Sequence, residues 1–160
     1  MALRDQIQAD LADAMRARDE TRKSVLRMLV AAVHNAEIPD APADGAETGE
    51  RQQVQLDDDA VVGVIQKQLK QRRDSIDQYR KAGRTDLAEK EEAEAEILAA
   101  YLPKQADREE IEAAARKVIS EAGASGPRDM GKVMPVLTKQ FAGRADGRMI
   151  NEVVRGLLNS

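Results

Sequence analysis

The sequence predicts an all-α protein, with an N-terminal helical domain followed by a small C-terminal three-helix bundle. Three observations carry that expectation. Apolar residues recur every three or four positions along most of the chain, the period of an amphipathic helix. The sequence is rich in Ala, Leu, Glu, Lys, Arg and Gln, the better helix formers. Tyr79, Tyr101 and Phe141 are its only aromatic side chains, whereas a sheet usually draws on aromatic and β-branched residues. With 42% of 160 residues hydrophobic there is material for a packed core, and that core must be aliphatic.

The first helix is set by Leu3, Ile7, Leu11 and Met15, four residues apart on one stripe. The second runs from about Thr21 to Glu37, carries Val25, Leu26, Leu29, Val30 and Val33, and ends before Pro39, which disfavours helix in the preceding residue. His34, the only histidine, falls in its last turn and is expected to be a surface or helix-end imidazole. From about 38 to 56 the chain has two Pro, two Gly and hardly any large apolar residue, so a mobile loop is expected.

Asp57, Asp58 and Asp59 open a long helix, where carboxylates accept orphan backbone N–H groups and complement the dipole. Its apolar side carries Val61, Val62, Ile65, Leu69, Ile76 and Tyr79, and it closes near Gly83; its Lys67, Lys70, Arg72, Arg73 and Arg80 are expected on a solvated face. Thr85 or Asp86 can cap the next helix, whose segment Leu87 to Leu102 is crowded with Glu89, Glu91, Glu92, Glu94 and Glu96. These carboxylates are spread round an exposed helix, an arrangement that does not suggest acid–base catalysis. The N-terminal domain is therefore placed at 1–102 and the C-terminal one at 107–160, with a short linker between them.

Asp107 and Glu110 have capping-box spacing and open a helix with Ile111, Ala115, Val118 and Ile119 that stops at Gly123. Asp129 is expected to cap a helix carrying Met130, Val133, Met134, Leu137 and Phe141. Pro135, which loses its bond to the Gly131 carbonyl, is expected to kink that helix or leave a loosened first turn. Gly143 to Gly147 form a turn with Asp146 as cap, and Met149/Ile150, Val153/Val154 and Leu157/Leu158 repeat to the end.

The formal net charge of −4 discourages nucleic-acid binding only on average. Residues 123–160 hold six basic and three acidic groups, net +3, and the preceding 122 hold 19 and 26, net −7. Opposite signs suggest two modules. The absence of Cys removes disulfides, thiol nucleophiles and Cys-based zinc sites, and no apolar stretch approaches the roughly 20 residues of a membrane span. The charged start lacks a signal-peptide pattern, so a cytoplasmic location is expected, with no membrane association.

Lys70-Gln71-Arg72-Arg73-Asp74-Ser75, Tyr79 with Arg84-Thr85-Asp86-Leu87-Ala88, Tyr101-Leu102-Pro103, Asp129-Met130-Gly131-Lys132-Val133-Met134 and Gly143-Arg144-Ala145-Asp146-Gly147 follow one another along the chain. In these segments the sequence resembles the YqeY family. From about Asp107 to Ser160 it is similar to the tail domain of GatB, a subunit of the glutamine-dependent tRNA amidotransferase, a helical appendage implicated in holding tRNA. The resemblance implies a carbon–nitrogen ligase label with glutamine as amido donor.

The residues themselves carry no such chemistry. Glutamine hydrolysis needs a nucleophile with its base and an oxyanion site. Cys is absent, and Ser24, Ser75, Ser120, Ser125 and Ser160 lack a nucleophile elbow or a clustered Lys. No Gly-rich phosphate loop appears, so no cofactor and no metal site is expected. The reading that remains is an accessory protein that contacts tRNA or another structured RNA. Phosphates are held by Lys, Arg, backbone N–H groups and helix N-termini, and RNA duplexes are recognised largely by shape. Lys132, Arg144 and Arg148, assisted by Arg128 and Lys139, are the expected phosphate contacts, with Gly131 and Gly143 allowing close backbone approach. The alternative is a helical interaction module whose acidic N-terminal domain docks a protein partner.

Overall fold

The computed structural model describes residues 1–38 and 54–159, and every regular element among them is helical. The all-α expectation holds. The chain divides into two compact units, Met1–Leu102 and Pro103–Ser160. The expected loop at about 38–56 falls mainly on residues 39–53, outside the described residues.

The first unit contains α1 (Leu3–Arg16), α2 (Glu20–Glu37), α3 (Asp58–Lys81) and α4 (Thr85–Ala99). α1 packs on α2, α3 on α4, and α2 against both members of the second pair. Their shared core is aliphatic, built on Ile7, Ala14, Val25, Leu26, Leu29, Val33, Val61, Ile65, Leu69 and Leu98. Removing a side chain such as Leu29, 1% exposed, should cost about 2–5 kcal/mol, because the surrounding helices close such a cavity only in part.

Local rules explain most helix ends. Asp19 accepts the Arg22 N–H at 3.0 Å and Asp57 accepts that of Ala60 at 2.8 Å, each satisfying an orphan donor of its helix. α3 ends with Gly83 at φ +73°, the Arg84 N–H returning to the Tyr79 carbonyl at 2.8 Å. Between α1 and α2 the same left-handed position is filled by Arg18 at φ +56°, a strained choice for a residue with a Cβ. α4 departs from the expected cap: Arg84 takes the N-cap position without a side-chain bond, and Asp86 is held by the Arg84 guanidinium at 3.2 Å. That hydrogen bond lowers the Asp86 pKa.

Among the described residues of this unit two polar side chains are buried, Glu37 and Arg72, against the simple picture of a solvated cationic face on α3. The Arg72 Nη1 donates to Glu91 at 2.9 Å and to Glu94 at 2.5 Å on α4, while its buried Nε has no partner among the described residues. Arg80 pairs with Glu92 further along the same two helices. Glu37, 1% exposed, faces Arg4 at 3.2 Å. His34 is exposed in the last turn of α2, with its Nδ1 3.9 Å from the Glu37 carboxylate.

The second unit contains α5 (Arg108–Ala122), a 3-10 turn (Pro127–Asp129), α6 (Met130–Gln140) and α7 (Gly147–Leu158). The three α-helices pack pairwise around Ile111, Ala115, Val118, Val133, Leu137, Phe141, Ile150, Val153, Val154 and Leu158. α5 closes at Gly123, φ +64°, with the Ala124 N–H bonded to the Ile119 carbonyl at 3.0 Å. Pro135 lies inside α6, which runs on through it; the chain enters this helix by way of the 3-10 turn. The Gly131 carbonyl, deprived of the Pro135 donor, sits at an exposed residue where water can serve it.

Candidate nucleic-acid interface

The second unit carries ten basic and eight acidic residues over 103–160, net +2, against 15 and 21 over 1–102, net −6. The turn between α6 and α7 comes back to the start of α5, so the two ends of the unit gather different termini. At one end lie the start of α6 and the close of α5. At the other lie the end of α6 and the starts of α5 and α7, tied where the Ala106 N–H donates to the Arg144 carbonyl at 2.9 Å.

The sequence-predicted residues divide between these ends. Arg128, Gly131 and Lys132 lie at the start of α6, and all three are exposed. Lys139 lies in its last turn, with Gly143, Arg144 and Arg148 just beyond. At 1.5 Å per residue, the two ends of α6 are about 15 Å apart, so the seven residues form two groups rather than one cluster. Lys132 and Lys139, seven positions apart with Val136 between them, share one exposed side of α6.

Local bonding sorts the cations further. Arg128, Lys139 and Arg148 are exposed and hold no ion pair among the described residues. Lys132 reaches back to Asp129 at 3.3 Å but keeps 63% of its side chain exposed. Asp129 does not cap α6 as expected; its carboxylate accepts the Ser125 N–H at 2.9 Å and so closes the turn before the helix. That bond, then the Lys132 ammonium, lowers its pKa. Asp146 does cap α7, accepting the Arg148 N–H at 2.9 Å.

Arg144 is engaged internally. Its Nε donates to the Lys104 carbonyl at 3.1 Å, its Nη2 to Glu110 at 2.8 Å, and its guanidinium lies 5.8 Å from the centre of the Phe141 ring. Gly143 is buried at φ +76°, and its carbonyl accepts from Gln105 Nε2 at 2.9 Å. The glycine thus serves the turn rather than an open surface. Sequence reasoning missed Gln105 and gave Glu110 only a capping role. Asp107 accepts the Glu110 N–H at 2.7 Å as the box requires, but the Glu110 carboxylate is taken up by Arg144. It also passed over Arg155, whose spacing from Arg148 and Glu152 puts all three on one exposed stripe of α7.

Residues 4–158 match the family described as Yqey-like protein. The chain belongs to the YqeY family. Curated relatives of this YqeY chain include proteins named "Altered inheritance of mitochondria protein 41, mitochondrial". That of Lachancea thermotolerans is 35% identical over 123 residues, 76% of this chain and 60% of the relative. That of Eremothecium gossypii is 37% identical over 98 residues, 60% and 46% of the two chains. In Pyrenophora tritici-repentis the figures are 29% over 158 residues, 96% and 80%. The chain therefore spans less than two thirds of the first two relatives' own length. Their names correct the expectation of a cytoplasmic protein, since these YqeY-family relatives are mitochondrial. Among the described residues no helix is long and apolar enough to cross a membrane.

Proposed function

We propose that this YqeY-family protein is an accessory RNA-binding protein whose second unit contacts the backbone of tRNA or another structured RNA. The observation that carries the proposal is the exposure of Arg128, Lys132, Lys139 and Arg148 on a net-positive unit. Long cationic side chains standing in water suit phosphate contact. The one aromatic residue of this unit, Phe141, is 2% exposed, which favours contact with backbone and shape over stacking on bases. The likeness of residues 107–160 to the tail of GatB adds the expectation of tRNA and the carbon–nitrogen ligase label. Any amide transfer belongs to partner subunits in this reading, because the exposed cations bind without supplying a nucleophile.

Binding of total tRNA across a salt series tests the proposal. Phosphate contacts release counterions, so affinity must fall steeply as salt rises. No binding by the wild-type chain at low salt, or identical binding by Lys132→Ala/Lys139→Ala, refutes it. A protein partner for the acidic first unit is the second reading, favoured by that unit's net charge of −6; it predicts capture of a basic protein by residues 1–102 with RNA removed.

A further inference from the structure

We infer that Arg144 is a positioning residue, the centre of a latch that fastens the α6–α7 turn to the strand of chain leading into α5. The inference rests on the RNA reading only in its second half, where the latch sets the Arg148 end of the interface.

Four links converge on Arg144. Its side chain bonds the Lys104 carbonyl and Glu110 and covers the Phe141 ring, while its own carbonyl accepts the Ala106 N–H. Gln105 adds a parallel tie by donating to both the Pro103 carbonyl at 2.7 Å and that of Gly143. A lone exposed ion pair contributes little. Here the pair is one arm of a planar fork that also satisfies a backbone carbonyl, which a lysine could not reproduce. Two of the bound segments, 104–106 and 143–144, are irregular backbone, so side-chain bonds must take the place of a helical ladder. Holding them together sets where α7 begins, and with it Arg148 and the Asp146 cap.

The latch differs from a phosphate ligand in what mild substitutions do. Arg144→Lys keeps the charge and loses the fork. Glu110→Gln removes a negative charge from the region, so charge alone predicts tighter RNA binding, whereas the latch predicts weaker binding. Hydrogen exchange at the Ala106 amide and binding of total tRNA at low salt are measured on the full chain for the wild type and both variants. The expected result is exchange and tRNA dissociation constants each raised about tenfold in both variants, the equivalent of one lost charge-assisted hydrogen bond. Unchanged exchange at Ala106 in either variant overturns the inference, as does tRNA binding by Glu110→Gln that is unchanged or tighter. If the wild type binds no tRNA, the RNA reading falls separately and exchange alone decides: faster exchange in both variants supports the latch, and unchanged exchange in either overturns it.

Discussion

Replacing Arg72 with methionine should destabilise the first unit by about 3 kcal/mol, far more than any other cation of α3. The guanidinium side chain is 9% exposed, and its Nη1 serves two carboxylates that are themselves 24% and 13% exposed. Removing it leaves Glu91 and Glu94 facing each other from successive turns of α4 without their shared donor. Breaking a buried pair in this way typically costs about 3–5 kcal/mol, and the partial exposure of the carboxylates puts the value at the lower end. The triple variant Arg72→Met/Glu91→Leu/Glu94→Leu should recover most of the loss, because the wild-type network is itself imperfect: the Arg72 Nε is buried without a partner. Both tyrosines, Tyr79 and Tyr101, lie in the first unit. Urea unfolding followed by tyrosine fluorescence therefore reports that unit specifically, and its midpoint and slope give the free energy. A single variant that loses under about 1 kcal/mol would refute the buried-clasp reasoning, since that is the behaviour of a surface pair.

Three further outcomes are expected. Arg18→Gly should stabilise the first unit by about 0.5–1 kcal/mol, since glycine accepts the left-handed φ of +56° without a Cβ clash; a lower urea midpoint would contradict this. Tyr101 donates to Asp10 at 2.6 Å, and burial, with that bond, raises its pKa to about 12. The folded state holds the phenolic proton more tightly than the unfolded state, so this contribution is present below about pH 10 and is lost as pH rises towards the folded value of about 12. Wild type and Tyr101→Phe should differ by about 1 kcal/mol at neutral pH and converge across that window; parallel pH profiles would exclude the linkage. In tRNA binding, Lys132→Ala and Lys139→Ala should each reduce the salt slope by about 1, and an unaltered slope would remove that lysine from the interface.

Much of the helical framework was legible from short-range signals. The αL glycines at Gly83 and Gly123 close α3 and α5 by bonds to residues a few positions back, so sequence spacing carries the necessary information. Asp57, Asp107 and Asp146 likewise cap the helices they precede. Asp129 shows where that logic ends. It stands at a capping position, but a 3-10 turn brings the Ser125 amide within reach first. Glu110 shows the same competition at longer range, with its carboxylate drawn to Arg144, 34 positions away.

The sequence by itself determined the helical character of the chain, cores that are aliphatic but for Phe141 in the second unit, most of its caps and its division into acidic and basic portions, because each depends on composition or on neighbours within about two helical turns. Only the tertiary structure decided which cations are free to meet a ligand. Arg72 and Arg144 look no different in sequence from Arg128 and Arg148, yet the first is buried against α4 and the second is bound to the chain before α5. The physical reason is that a charged side chain's role is set by the acceptors the fold brings to it, and those acceptors lie 19, 22, 34 and 40 positions away along the chain.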